Sequence, residues 1–316
     1  MAYAPPNPRL LRRLPVTLAA LLLLAGTAGC AANGGAASTG DAAAATAPAQ
    51  QPPAVATVPQ QSAAQETLPA GAADALARLN ASPRHGEYAM VATGADSVRA
   101  WIVYPERATR APVVLVVHEI FGLTNWVRAV ADQLAADGFI AIAPDLLTGH
   151  GVPDDAGGEP DRQAATAAVR ALARGDVHRR LRAVADWGMQ LPAASDRYGI
   201  VGFCWGGSTS FVHAIESSDV DAAVVYYGSS PDVAELVRVG APVLGLYGGE
   251  DARVNATIPP ADSALKTLGK TYEPHIFPGA GHGFLRQQDG QEGANLAASR
   301  QAWPLTVTWF REHLEE

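Results

Sequence analysis

The chain has 316 residues, 48% of them hydrophobic, which is enough to bury the core of one large domain. Its 31 acidic residues outnumber its 23 basic ones, giving a formal net charge of -8. No basic run is dense enough to follow a phosphate backbone, so a nucleic-acid-binding role is excluded.

Taken in chain order, the first element is a leader. Arg9, Arg12 and Arg13 precede an apolar run from Leu14 to Ala25 that ends in small residues. A run of about a dozen residues falls short of the roughly 20 that a membrane-spanning helix needs, so residues 1–29 read as a signal peptide. Thr27-Ala28-Gly29-Cys30 resembles the bacterial lipobox, although Thr27 departs from the usual leucine. The resemblance implies that Cys30 becomes the lipidated first residue of the mature chain. The expected location is the bacterial cell envelope after export, with membrane contact only through that lipid.

Residues 30–82 are dominated by Ala, Gly, Pro, Gln, Ser and Thr and read as a disordered tether, because they bury too little surface to offset ordering entropy. Only two cysteines exist, and a lipidated Cys30 cannot pair with Cys204. A lone thiol in an oxidising compartment needs a chemical reason.

The folded part is expected over 83–316 as a single α/β domain. Tyr88 to Thr93 and Val98 to Tyr104 read as an antiparallel edge pair. Continuous apolar runs follow at Pro112 to Val117, Phe139 to Ala143, Tyr198 to Gly202, Ala222 to Tyr227, Pro242 to Tyr247 and Tyr272 to Phe277. Each has the length of a strand buried on both faces. Helical periods lie between them, near Asn125 to Asp137, Arg162 to Ala173, Asp176 to Gln190, Trp205 to Ser217, Pro259 to Leu268 and Leu296 to His313. This βαβ rhythm predicts a mostly parallel sheet with helices on both faces. The Gly-, Pro- and Asp-rich stretch from Leu147 to Pro160 reads as a loop.

The chemistry centres on Gly202-Phe203-Cys204-Trp205-Gly206-Gly207, where an apolar strand runs through a Gly-x-Cys-x-Gly-Gly turn into a helix. Such a nucleophile elbow holds its residue on a strained turn at a helix N-terminus, which favours thiolate and a developing oxyanion. The bland alternative is a packed cysteine between strand and helix. Two further motifs favour catalysis. Asp251 follows the strand ending at Tyr247, and His282 sits in Gly279-Ala280-Gly281-His282-Gly283-Phe284 after the last strand. Nucleophile, acid and histidine therefore occur in α/β-hydrolase order, each beyond a strand's carboxyl end. Glu250 is the rival acid. The remaining histidines lack metal-ligand spacing, so neither a metal nor another cofactor is expected.

Together with His118-Glu119-Ile120-Phe121-Gly122, Ala143-Pro144-Asp145-Leu146 and Tyr226-Tyr227-Gly228, these motifs resemble the dienelactone hydrolase family over about 87–314. The resemblance implies an α/β-hydrolase fold and a Cys204-His282-Asp251 triad acting on a small-molecule ester or lactone through an acyl-thioester. It also implies that Glu119 controls thiol ionisation, that backbone N–H groups of Ile120 and Trp205 form an oxyanion hole, and that Arg286, Phe121 and Tyr227 contact substrate. One departure concerns the two arginines with which such enzymes hold a carboxylate. Arg286 matches one, whereas Leu147-Thr148-Gly149-His150 stands where the other is expected. Either His150 or a loop arginine such as Arg162 substitutes, or the substrate is a neutral acyl ester turned over at least as well as an acidic lactone. The reading from another class, a catalytically silent envelope-binding lipoprotein, leaves the three matched loop positions without a purpose.

Overall fold

The computed structural model describes residues 67–94 and 96–315. The expected signal peptide, Cys30 and most of the tether lie outside the described residues. Eight strands form one sheet: β1 (Gly86–Ala92), β2 (Ser97–Val103), β3 (Ala111–Val117), β4 (Ile140–Pro144), β5 (Ala194–Phe203), β6 (Ala222–Tyr226), β7 (Val243–Gly248) and β8 (Tyr272–Phe277). Their spatial order is β1-β2-β4-β3-β5-β6-β7-β8. The β1–β2 and β2–β4 pairs are antiparallel and all others are parallel.

Both faces of the central strands are buried because side chains alternate across a strand and helices cover each side. On β3, Val114 and Val116 join one core layer while Val113, Leu115 and Val117 join the other. The first layer meets helices α2 (Asn125–Ala136) and α8 (Ala294–Leu314). The second meets α4 (Arg174–Met189), α5 (Trp205–Glu216) and α7 (Ile258–Thr267). Each fully buried Leu or Val contributes about 1.5–3 kcal/mol relative to exposure. Helix α2 stops where Asp137 caps it and Gly138 adopts a φ of 107° that disfavours any residue with a Cβ.

The tether boundary needs correction. The folded chain includes residues 67–82, with Leu68 and Ala75 buried and a short helix, α1 (Ala75–Ala81), packed on α2. Ala72 N–H donates to the Arg286 carbonyl at 2.8 Å, and Gln288 Nε2 donates to the Pro69 carbonyl at 2.9 Å. Composition hid this segment because a few apolar anchors, placed at the right turns, suffice when the neighbouring surface is already formed.

Candidate active site

The carboxyl ends of the parallel strands bring the separated motifs to one edge of the sheet. Cys204 follows β5 with φ 57° and ψ -115°, a backbone conformation that is costly for a residue with a Cβ. Neighbouring contacts leave no room to relax. A Cβ at Gly202 would collide with the Gly206 carbonyl, and one at Gly206 would collide with the carbonyls of Val117 and His118. Cys204 directly precedes α5 and stands at its positive end. Burial, followed by the charge of Glu119, pushes its thiol up to about 11, opposed by the Trp205 backbone N–H and by Arg253 and Arg286.

His282 lies beyond β8, and its Nδ1 is 2.5 Å from Asp251 Oδ2. Asp251 is buried and also caps the single-turn helix α6 (Ala252–Asn255), where its Oδ1 accepts the Val254 N–H at 3.3 Å. This second contact fixes the carboxylate rotamer and was not visible in the sequence. Glu250, the rival acid, points its side chain to solvent.

Glu119 is buried at the end of β3, with Arg286 Nε 2.7 Å from its Oε2. That contact acts as an ion pair, since the N–H is not aimed along it. Burial raises the Glu119 carboxyl to about 7, with Arg286 and then Arg162 opposing the rise. Arg286 is therefore held against Glu119 at the end of β3 and is largely withdrawn from solvent.

Phe121 carries guanidinium groups nearby, with Arg162 at 4.1 Å and Arg286 at 5.3 Å from its ring centroid. These three residues line a depression of about 390 Å³ with Trp126, Leu76 and Ala72, so the N-terminal segment forms part of its wall. Helix α3 (Arg162–Ala171), capped by Asp161, places Arg162 there. His150 is exposed on its loop, and Leu147 is buried.

Tyr227 is buried with φ 40°, its ring 5.2 Å from that of His282. Its hydroxyl has no hydrogen-bond partner among the described residues. A second depression, of about 240 Å³, is lined by Cys204, Trp205, Ser208, Tyr227, Ser229 and Arg253. Sequence reasoning missed Arg253, whose only sequence signal was its place two residues after Asp251. Among the described residues, no group of His, Cys, Asp and Glu side chains is arranged to hold a metal ion.

A mostly parallel sheet with an elbow after β5, an acid after β7 and a histidine after β8 defines the α/β-hydrolase class. Residues 98–314 match the model of the dienelactone hydrolase family, and the chain belongs to that family. A Salmonella typhimurium protein assigned as a carboxymethylenebutenolidase is 31% identical over 268 residues, covering 78% of this chain and 97% of the relative. An Escherichia coli K12 protein with the same assignment is 31% identical over 232 residues, covering 69% of this chain and 83% of the relative. The crystal structure of a Klebsiella pneumoniae protein assigned as a dienelactone hydrolase superposes with a TM-score of 0.64 at 29% identity, covering 72% of this chain and 99% of that one. The protein is a hydrolase of this family.

Proposed function

We propose that the protein hydrolyses a carboxylic ester or lactone with Cys204 as nucleophile. The observation that carries this reading is the juxtaposition at one sheet edge of a positive-φ cysteine heading α5 with a His282–Asp251 pair at 2.5 Å. His282 accepts the thiol proton while Asp251 holds its ring and favours the imidazolium. The sulfur forms a bond to the substrate carbonyl carbon, and the resulting oxyanion is held by the Ile120 and Trp205 N–H groups. The carbon–oxygen bond then breaks, and the leaving oxygen takes the proton from His282. Water, deprotonated by His282, attacks the thioester and releases the carboxylic acid and the Cys204 thiol.

Glu119 keeps the thiol protonated at rest, which limits oxidation of an exported enzyme. The Tyr227 hydroxyl is free to donate to bound substrate. Arg162 and Arg286, both beside Phe121, favour a substrate that carries an anionic group near its scissile bond. Arg162 thus takes the place of the arginine missing after Leu146, and of the two alternatives left open by the sequence an acidic lactone or ester is favoured over a neutral acyl ester. The proposal includes export and lipid anchoring at Cys30, supported by the leader pattern and lipobox-like stretch.

The test is ester hydrolysis by Cys204→Ala and Cys204→Ser. The Ala variant should fold, since losing one sulfur from a turn leaves little cavity. It should lose all turnover, and the Ser variant should keep little, because a hydroxyl ionises far less readily than a thiol. Full activity in Cys204→Ala would overturn the mechanism.

A further inference from the structure

His118, between β3 and Glu119, touches no group that reacts in the proposed mechanism, yet it is fully buried and every part of it is engaged. Its Nδ1 lies 2.6 Å from the carbonyl oxygen of Glu119. Its Nε2 lies 3.3 Å from the Leu146 amide, just beyond β4. A backbone amide only donates, so Nε2 is the acceptor and Nδ1 carries the proton. The ring is therefore neutral, in one tautomer, and donates to the Glu119 carbonyl. Burial works in the same direction by disfavouring the charged ring.

That carbonyl belongs to the peptide unit whose N–H is on Ile120. A trans peptide is planar, with its C=O and N–H pointing in opposite directions, so holding the oxygen aims the hydrogen. The Gly122 amide also donates to the same oxygen, at 3.3 Å. This longer contact comes from the turn that Gly122 closes with a positive φ, whereas the imidazole is held between the ends of β3 and β4. The other face of the arrangement is equally constrained. The His118 ring stacks on the Trp205 side chain, with centroids 5.6 Å apart and planes 25° apart. Ile120 and Trp205 also pack on one small apolar cluster of Leu147, Ala165 and Val169.

We propose that His118 is a positioning residue for the oxyanion hole: its Nδ1–H orients the Glu119–Ile120 peptide so that the Ile120 N–H meets the developing oxyanion, and its stack on Trp205 keeps the two donor residues in register. The proposal rests on the hydrolytic reading above, because it presumes a charged tetrahedral intermediate at Cys204. It assigns His118 no proton transfer and no contact with substrate. An oxyanion donor acts most strongly in the transition state, so a misaimed peptide lowers kcat and leaves KM nearly unchanged.

Two substitutions separate the ring's two hydrogen bonds. The amide nitrogen of Asn reaches about the position of Nδ1, so His118→Asn can still donate to the Glu119 carbonyl while giving up the Leu146 contact. The longer His118→Gln places its oxygen near Nε2, keeping the Leu146 contact and losing the donor. With an aryl ester, His118→Gln should lower kcat by about 10- to 100-fold, below the loss seen when an oxyanion donor is deleted outright. His118→Asn should retain kcat within about threefold of wild type. An aldehyde that adds reversibly to the thiol, leaving its oxygen in the hole, should bind His118→Gln more weakly by a similar factor. Alkylation of Cys204 by iodoacetamide, which forms no oxyanion, should proceed at the wild-type rate in both variants.

Equal loss of kcat in both variants, or unchanged kcat in a folded His118→Gln, would overturn the proposal. If His118→Gln does not fold, His118→Ala, which also removes the donor, takes its place: loss of kcat and aldehyde affinity there with retention in His118→Asn supports the assignment, and equal behaviour of the two variants overturns it. Failure of the underlying reading looks different, since Cys204→Ala would then remain active whatever His118 does.

Discussion

Replacing Glu119 by Gln removes a buried carboxylate beside the thiol without changing its shape, and the outcome depends on pH in a way that burial alone cannot produce. Burial and then Glu119 are the two causes that raise the Cys204 thiol to about 11. Glu119 itself titrates at about 7, so its charge opposes the thiolate above that pH and not below it. If removing the charge lets the thiol fall by about one pKa step, the thiolate fraction at pH 8 rises about tenfold. A less basic thiolate is a weaker nucleophile, with a Brønsted slope of about 0.4–0.5, so alkylation should quicken by about threefold.

The assay is the rate of iodoacetamide modification of wild type and Glu119→Gln from pH 5.5 to 8.5, read by mass spectrometry at Cys204. The ratio of rates should be near one at the acid end and rise through pH 7. The same variant should alter stability. A carboxyl raised from its ordinary value of 4.5 to about 7 stabilises the fold fully below pH 4.5, and that contribution is lost as pH rises through 7. The difference amounts to about 3 kcal/mol, so Glu119→Gln should gain several degrees in Tm relative to wild type across that window. A rate ratio that is flat with pH, or a Tm difference that is flat with pH, would refute the reasoning about Glu119.

The arginines beside Phe121 should set selectivity: Arg162→Ala and Arg286→Ala should each raise KM about tenfold or more for lactones bearing a carboxylate and by less for neutral aryl esters, as steady-state kinetics on matched pairs would show. Equal effects on both substrate classes would restore the neutral-ester reading. His178 and His213 face each other in the core with Nδ1 atoms 3.1 Å apart, and burial depresses them to about 4 and about 3. Stability that is fully present above pH 6.5 should therefore be lost as pH falls towards 4, and His178→Gln should flatten this dependence in acid-unfolding curves. Labelling cells with a fatty-acid probe should mark the wild type and not Cys30→Ala; an unlabelled wild type with a mature N-terminus beyond Cys30 would reject lipidation.

Much of the fold was legible because the parallel strands are buried on both faces, so β3 and β6 appear in sequence as unbroken apolar runs of strand length. The elbow was legible for a local reason as well. A nucleophile on a tight strand-to-helix turn needs glycines two residues either side, and Gly202 and Gly206 report that crowding directly. Asp251 and His282 were legible as residues following strands, since α/β chemistry gathers at the strands' carboxyl ends.

What the sequence could not decide depends on pairs brought together from distant parts of the chain. The sequence pointed to Asp251, but the physical reason it and not Glu250 meets His282 is tertiary: Asp251 caps α6, while Glu250, one residue earlier, is exposed. Arg162 reaches Phe121 only because α3 begins beside the β3 loop, across a gap of 41 residues. Residues 67–82, polar and small enough to resemble a tether, fold because α2 and the Arg286 loop supply surface and hydrogen-bond partners for them. Composition and periodicity report what a segment can bury by itself. Only the tertiary structure determines what a neighbour 219 residues away offers it, as when Pro69 accepts a hydrogen bond from Gln288.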